Sequence, residues 1–274
     1  AMIEVENLFF SYPGSKHKVF EDFNLKLADS RIYGLLGKNG MGKSTLLYLV
    51  SGLLRPKKGS VVVNGHVSKK REPELLQDLY IVPEEYNLPD MTLEAYVKIH
   101  ENFYPKFSRE VLNNCLTAFE MPLNVNFKEL SMGQKKKVYM SFALASCCGL
   151  LLMDEPTNGL DIPSKALFRK VVAGNLPEGS SLIISTHQVH DVEQLLDHVV
   201  IMNNSSVLFN ASMEDITKQY SFTYRLPNEM DDTVLYGEPS LQGNAVIAVR
   251  TQEAPETPVN LELLFNAVTL GKLK

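Results

Sequence analysis

The sequence has no tryptophan, only three cysteines in 274 residues, and no apolar run long enough to cross a membrane. The longest uncharged stretch in its first 200 positions, Val138–Met153, falls short of the ~18–20 apolar residues a spanning helix needs. Ser141, Ser146 and Gly149 also interrupt it. Cys115, Cys147 and Cys148 have neither the C-x-x-C spacing nor the paired histidine of a zinc site, and they suggest no disulfide frame. They read as buried free thiols in a reducing compartment. The start, Ala1-Met2-Ile3-Glu4, lacks a basic stretch followed by an apolar one, so no secretory signal is expected. Excess positive charge is missing too. The 27 Lys+Arg face 32 Asp+Glu, a net charge of −5, which argues against nucleic acid as the main partner. The two basic clusters, Lys69-Lys70-Arg71 and Lys135-Lys136-Lys137, read as solvated faces. Repeats and low-complexity tracts are absent.

What is present is a globular composition, 45% hydrophobic and 22% charged, in a length that suits one large domain or one domain with an appendix. Ile3–Phe10 and Phe20–Leu27 have strand composition and flank a turn-rich segment. Arg31–Leu36 is a short strand that runs into a glycine-rich loop, and Ser44–Leu53 reads as a helix. Ser60–Val63 and Leu79–Val82 are further strands. From about residue 88 to 145 the texture becomes helical, with Met91–Phe103 and Arg109–Phe119 showing apolar residues at helical spacing. Leu150–Met153 and Leu182–Ser185 are continuous apolar runs, the pattern of parallel strands covered on both faces. A hairpin is expected around Asn203-Asn204, and a helix over 212–220. Beyond about residue 220, two strands, a Pro-rich linker and the amphipathic stretch Asn260–Leu270 suggest a small α+β appendix.

Three motifs carry chemistry. Gly37-Lys38-Asn39-Gly40-Met41-Gly42-Lys43-Ser44 fits G-x-x-x-x-G-K-[ST] between a strand and a helix. Such a loop curls so that its N–H groups face phosphate oxygens, aided by the positive end of the following helix. Lys43 would reach the β- and γ-phosphates, and the Ser44 hydroxyl would ligate Mg²⁺. The second motif is Leu150-Leu151-Leu152-Met153 followed by Asp154 and Glu155. Here Asp154 is expected to hold the metal through a water and Glu155 to polarise the attacking water. The third, Leu130-Ser131-Met132-Gly133-Gln134, opens a helix between the other two. Taken alone, Ser131 there is an ordinary N-cap.

In this order, Leu-Ser-x-Gly-Gln between a Walker A loop and a Walker B strand resembles the signature of ATP-binding cassette (ABC) ATPases. The resemblance covers about residues 3–220. It implies an α/β fold: a P-loop NTPase core with a mostly parallel sheet, an N-terminal antiparallel β subdomain and a helical insert. The cassette would span residues 2–220 and a small C-terminal α+β extension 221–274. It further implies that ATP and Mg²⁺ are bound by Tyr12, Val19, Gly37, Lys38, Asn39, Gly40, Met41, Gly42, Lys43, Ser44 and Thr45. Tyr12 would stack on adenine, its alternative being a strand-end aromatic in the core. The metal would be held by Ser44, Glu84 and Asp154. Ser131, Met132, Gly133 and Gln134 would cover the ATP of a second protomer, and Asp161, in Asn158-Gly159-Leu160-Asp161, would mark the D-loop at the dimer interface. Glu155, His187 and Lys43 would be catalytic, with His187, directly after Thr186, as the switch histidine.

The implied function is ATP hydrolysis in a homodimer or heterodimer that drives an integral membrane permease on a separate chain, from the cytoplasmic face. Leu261-Glu262-Leu263-Leu264-Phe265 resembles the Leu-Glu-x-x-Phe ending of bacterial exporter ATPases of the drug and antibiotic self-resistance type, and Pro83-Glu84-Glu85 resembles a variant familiar in the same subgroup. A generic docking helix explains the first nearly as well. A non-transport ABC ATPase serving a cytosolic assembly, such as an iron–sulfur scaffold, is the alternative. The distance from Lys43 to Ser131 leaves no room for the coiled coil of chromosome-structure members, and one cassette is too few for the ribosome-acting ones. Two positions depart from the common pattern: Met132 replaces a glycine, and Glu84 stands where most members carry Gln. A carboxylate at 84 binds metal well but repels ATP when metal is absent, so Glu84→Gln is expected to weaken the Mg²⁺ dependence of ATP binding. Titrations of nucleotide with and without Mg²⁺ check this; equal dependence in both proteins refutes it.

Overall fold

The computed structural model describes residues 2–204 and 206–274. In chain order it begins with β1 (Ile3–Phe10), β2 (Phe20–Leu27), β3 (Ile32–Leu36) and α1 (Lys43–Val50). β4 (Lys58–Val63), β5 (His66–Val67), α2 (Pro73–Leu76) and β6 (Leu79–Val82) follow. The helical stretch holds α3 (Leu93–Phe103), α4 (Arg109–Ala118) and α5 (Met132–Ala145). Then come β7 (Leu150–Asp154), α6 (Ile162–Asn175), β8 (Ser181–Thr186), β9 (His198–Met202), β10 (Val207–Ser212) and α7 (Met213–Gln219). The chain closes with β11 (Tyr220–Arg225), β12 (Val234–Ser240), β13 (Gly243–Val249) and α8 (Leu261–Thr269).

The central sheet has the order β10-β9-β3-β8-β7-β6, parallel except for β10. Its middle strands β3, β7 and β8 are buried along their whole length. Alternation of side chains explains why their sequences show no polar face. Leu150, Leu152, Ile183, Tyr33 and Leu35 point into one core, shared with α1 and the antiparallel sheet β2-β1-β4-β5. Leu151, Met153, Leu182, Ile184 and Leu36 point into the other, shared with α4, α5 and α6. Each face buries its own set, so a period of two is hidden by apolar residues on both sides.

Helix ends follow their caps. Thr92, Ser108, Ser131, Asp161 and Asn260 each accept an N–H from the first turn of the helix that follows. Besides the short β5 and α2, two longer elements escape the sequence reading. α6 is masked by Pro163, which the first helical turn tolerates after the Asp161 cap. β12 contains Gly237 and Pro239, yet it is the edge of the sheet β11-β13-β12, where a missing N–H is harmless. Cys147 is only half-buried, unlike Cys115 and Cys148, because it sits in a left-handed turn just beyond α5. The Lys69-Lys70-Arg71 cluster is exposed, but Lys136 of the second cluster is buried.

An aromatic cage between α3, β6 and α5 holds the helical stretch to the sheet. His100 lies inside it against Tyr80, Tyr96, Tyr104, Phe107 and Phe142. Its Nδ1 meets the Tyr96 carbonyl at 2.9 Å and must donate, so Nε2 accepts from the Tyr80 hydroxyl at 2.8 Å. Only the neutral ring satisfies both. Burial accordingly pushes the pKa of His100 below its ordinary 6.5. The unfolded chain then binds a proton in a range where the folded one does not. Stability is full above pH ~6.5 and falls on acidification, by at most ~1.4 kcal/mol per pH unit for this group. Urea unfolding of His100→Gln between pH 5.5 and 7.5 is expected to show a shallower pH slope than wild type.

Candidate active site

The site lies at the C-terminal ends of β3, β7 and β8 and beyond the end of β6, where an open α/β sheet presents its loops. The phosphate loop leaves β3 at Gly37 and enters α1 at Lys43. Gly42 has φ +91, and a Cβ there would lie 2.9 Å from the Phe20 ring and 3.1 Å from Val19. Val19 is thus a buried support beneath the loop. Gly40 is also left-handed, at φ +82, but a Cβ there would meet nothing within 4 Å. Lys38 and Asn39 are exposed, and Met41 and Ser44 half-buried. Lys43 is buried and its Nζ donates to the carbonyls of Gly37 (2.7 Å) and Lys38 (3.0 Å). Burial pushes its pKa down, against the opposing pull of Glu155, Asp154 and Glu84. Tyr12 is not a core residue: it is 39% exposed, and its hydroxyl lies 2.7 Å from Thr45 Oγ1 in α1.

Asp154 ends β7 and Glu155 follows it, at 1% and 4% exposure. The Ser185 hydroxyl donates to Asp154 Oδ1 at 2.6 Å, while Oδ2 is buried without a partner in the protein. A buried carboxylate oxygen so placed fits a metal-bound water. Among the described residues no three His, Cys, Asp or Glu side chains form a metal cage. Mg²⁺ matches that donor set, since it takes one or two protein oxygens plus waters and phosphate. Ser44, Asp154 and Glu84 are the residues that would hold it. In the structure Glu84 Oε1 accepts from Asn158 Nδ2 at 2.9 Å.

Glu155 has φ +45, a conformation costing an L-residue roughly 1–2 kcal/mol. The strand β8 and the residue after it hold it there. Its N–H donates to the Ser185 carbonyl (2.8 Å) and its Oε2 accepts from the Thr186 hydroxyl (3.0 Å). Its Oε1 accepts from the His187 N–H (3.1 Å) and lies 2.9 Å from His187 Nδ1. The structure therefore brings Lys43, Asp154, Glu155 and His187 together in one protomer. Ser131–Gln134 lie at the start of α5. Ser131 Oγ accepts from the Gln134 N–H and Gln134 Oε1 from the Ser131 N–H, a capping box at the start of α5. Met132, Gly133 and Asn158–Leu160 line a cavity of about 660 Å³ together with Glu84–Asn87. Asp161 Oδ1 caps α6 by accepting from the Ser164 N–H at 2.8 Å.

Two groups went unread in the sequence. Lys136 donates to the carbonyls of Glu155 (3.2 Å) and Asn158 (2.7 Å). Its signal is helical register, since Met140 and Ala143, four and seven residues on, are both buried. Asp191, four residues after His187, accepts from the Thr157 hydroxyl (3.0 Å) and pairs with Lys165 of α6 (2.9 Å).

A phosphate loop after one strand and paired carboxylates at the end of another, within a parallel sheet, define a P-loop nucleotide triphosphatase. The ABC transporter family profile matches residues 20–158. A methionine import ATP-binding protein of Carboxydothermus hydrogenoformans is 29% identical, over 100% of this chain and 90% of its own. A Nod factor export ATP-binding protein of Cupriavidus metallidurans is 26% identical, over 74% of this chain and 68% of its own. A solved ATP-binding subunit of an ABC transporter superposes with a TM-score of 0.68 at 26% identity, covering 79% of this chain and 92% of that one. The chain belongs to the ABC transporter family as an ATP-binding subunit, and it is an ATPase. The α/β fold with its antiparallel β subdomain, helical insert and small α+β end agrees with the sequence expectation. Relatives named for import and for export both match, so direction does not follow from likeness alone.

The two glycines of the loop separate strain from crowding. Gly42→Ala is expected to lower the Tm of the nucleotide-free protein clearly more than Gly40→Ala, because only at 42 must Phe20 and Val19 also move. Differential scanning fluorimetry of the two variants checks this; equal Tm values would refute it.

Proposed function

We propose that this chain works as one half of an ATP-closed two-fold dimer that drives a separate membrane permease in the direction of export. Residues 2–220 act as the cassette and 221–274 as its extension. One observation carries the dimer. The residues that act on phosphate chemistry converge within one protomer, and the start of the signature helix is exposed at Ser131 and Met132, beside large exposed apolar groups. Met132 is 76% and Ile162 83% exposed, flanking the signature and the D-loop. A second copy would cover them. No helix among the described residues is long and apolar enough to cross a membrane, which supports a permease on another chain and a place at the inner membrane face. The Leu-Glu-x-x-Phe stretch at 261–265 and Pro83-Glu84-Glu85 support export.

The chemistry follows from the positions. The loop N–H groups and Lys43 bind and orient the triphosphate, and Tyr12 offers its ring to the base. Mg²⁺, when bound, neutralises charge that develops on the β- and γ-oxygens. Ser44, Asp154 and Glu84 would hold it. Glu155 accepts a proton from the attacking water at its carboxylate. His187, its Nδ1 turned to Glu155, leaves Nε2 as the ring atom that faces the γ-phosphate. Across the interface, Ser131 and the start of α5 close over the partner's nucleotide, and Asp161 keeps the adjoining turn in register. Hydrolysis removes the bridging phosphate and lets the dimer open.

Glu155→Gln keeps the shape of the site but cannot take the proton. It is expected to bind ATP, hydrolyse it at least a hundredfold more slowly, and elute as a dimer in Mg·ATP by multi-angle light scattering. A monomer at saturating nucleotide would refute the dimer. A membrane protein that co-purifies in detergent supports the permease, and a soluble partner supports a cytosolic assembly instead.

A further inference from the structure

Lys136 is a buried cation that this chemistry leaves without a task. It lies in α5, five residues beyond Ser131, at 8% exposure. A lysine is rarely buried unless its ammonium is fully engaged. Its partners are not side-chain carboxylates but two backbone carbonyls, those of Glu155 at 3.2 Å and Asn158 at 2.7 Å. Those carbonyls bracket a single turn, closed on itself by the Asn158 N–H to the Glu155 carbonyl at 3.1 Å. The turn starts from the left-handed backbone of Glu155 and ends at the residue whose amide holds Glu84. On its other side, Ser185, Thr186 and His187 grip Glu155 from β8 and the residue after it. Lys136 is the grip from the helical side.

We propose that Lys136 is a positioning residue for ATP hydrolysis: its ammonium pins the Glu155–Asn158 turn to α5, so that the signature helix and the general base move as one body. Lys136 reaches no reacting atom. It acts by fixing the carbonyl side of the residue whose carboxylate receives the proton. Ser131 and Lys136 share one rigid helix, ~7–8 Å apart along its axis. A displacement of the signature, by closure over the partner's nucleotide, is therefore delivered to Glu155 of the same protomer. Ground-state binding of ATP, which depends on the phosphate loop, is untouched.

The test is steady-state ATPase kinetics of the full chain with Lys136→Met, which keeps the volume and removes the donors, and Lys136→Arg, which keeps charge and donors. Lys136→Met is expected to lose at least tenfold in kcat with the KM for ATP within twofold of wild type, and Lys136→Arg to recover most of the rate. Wild-type kcat in Lys136→Met overturns the proposal. So does a loss of kcat accompanied by matching changes in KM and Tm that arginine does not rescue. If Lys136→Met does not fold, Lys136→Gln is compared with Lys136→Arg. A slower Gln variant at equal KM supports the pin, and equal rates overturn it. The proposal rests on Glu155 as general base, which is tested apart. Full activity of Glu155→Gln would refute that assignment, whereas an inactive Glu155→Gln beside an unimpaired Lys136→Met refutes the pin alone.

Discussion

Two carboxylates at the end of a strand covered on both faces set the terms for everything around them. Asp154 and Glu155 have almost no contact with solvent, so nearly every oxygen they carry needs a donor from the protein or from what binds there. β8 supplies Ser185 and Thr186, and the residue after it supplies the His187 N–H and ring. The cations come from outside the strands, Lys43 from the first turn of α1 and Lys136 from α5. The parallel order β3-β8-β7 is what brings these donors within reach, because it places three strand ends side by side. One oxygen, Asp154 Oδ2, is left over without a partner in the protein, and the proposed Mg²⁺ would supply one through a water.

Much of this was legible in the sequence because the signals are local. The glycine pattern of the phosphate loop, the apolar run before Asp154 and the Ser131–Gln134 cap each occupy consecutive residues, and consecutive residues need no tertiary knowledge to interpret. The two-faced burial of β7 and β8 was legible for the same reason. Other features depend on partners far along the chain. Lys136 sits in a run of three lysines whose composition suggests solvent, and only helical register separates it from its neighbours. Whether Tyr12 is core or surface depends on α1, whose Thr45 hydroxyl lies beside its own while the ring stays exposed. β12 was hidden by Gly237 and Pro239, residues that a strand tolerates only at an edge, and whether a strand is an edge is a property of the sheet.

Glu84 illustrates how one changed residue is absorbed. A glutamine there would offer a neutral carbonyl; the carboxylate instead takes the Asn158 amide, and Asn158 in turn gives its carbonyl to Lys136. The extra negative charge is thereby set within a short polar chain that ends on a buried ammonium. The lysine and the half-buried glutamate offset one another across the turn that begins at Glu155, which helps the lysine's burial.

The C-terminal helix adds a constraint on a different timescale. α8 packs Leu261, Leu264 and Val268 into the same core as Val189 and Val192, the residues that follow His187, and as Phe142 and Phe168. The wall behind His187 is therefore made from segments about seventy residues apart in the chain. During synthesis, the antiparallel sheet β2-β1-β4-β5 can form early from contiguous sequence, whereas β3 and the phosphate loop after it wait for β8 and β9. The opposite face of the central sheet stays partly uncovered until α8 has left the ribosome. The phosphate loop and the wall behind His187 thus both depend on late segments, the first on β8 and β9 and the second on α8.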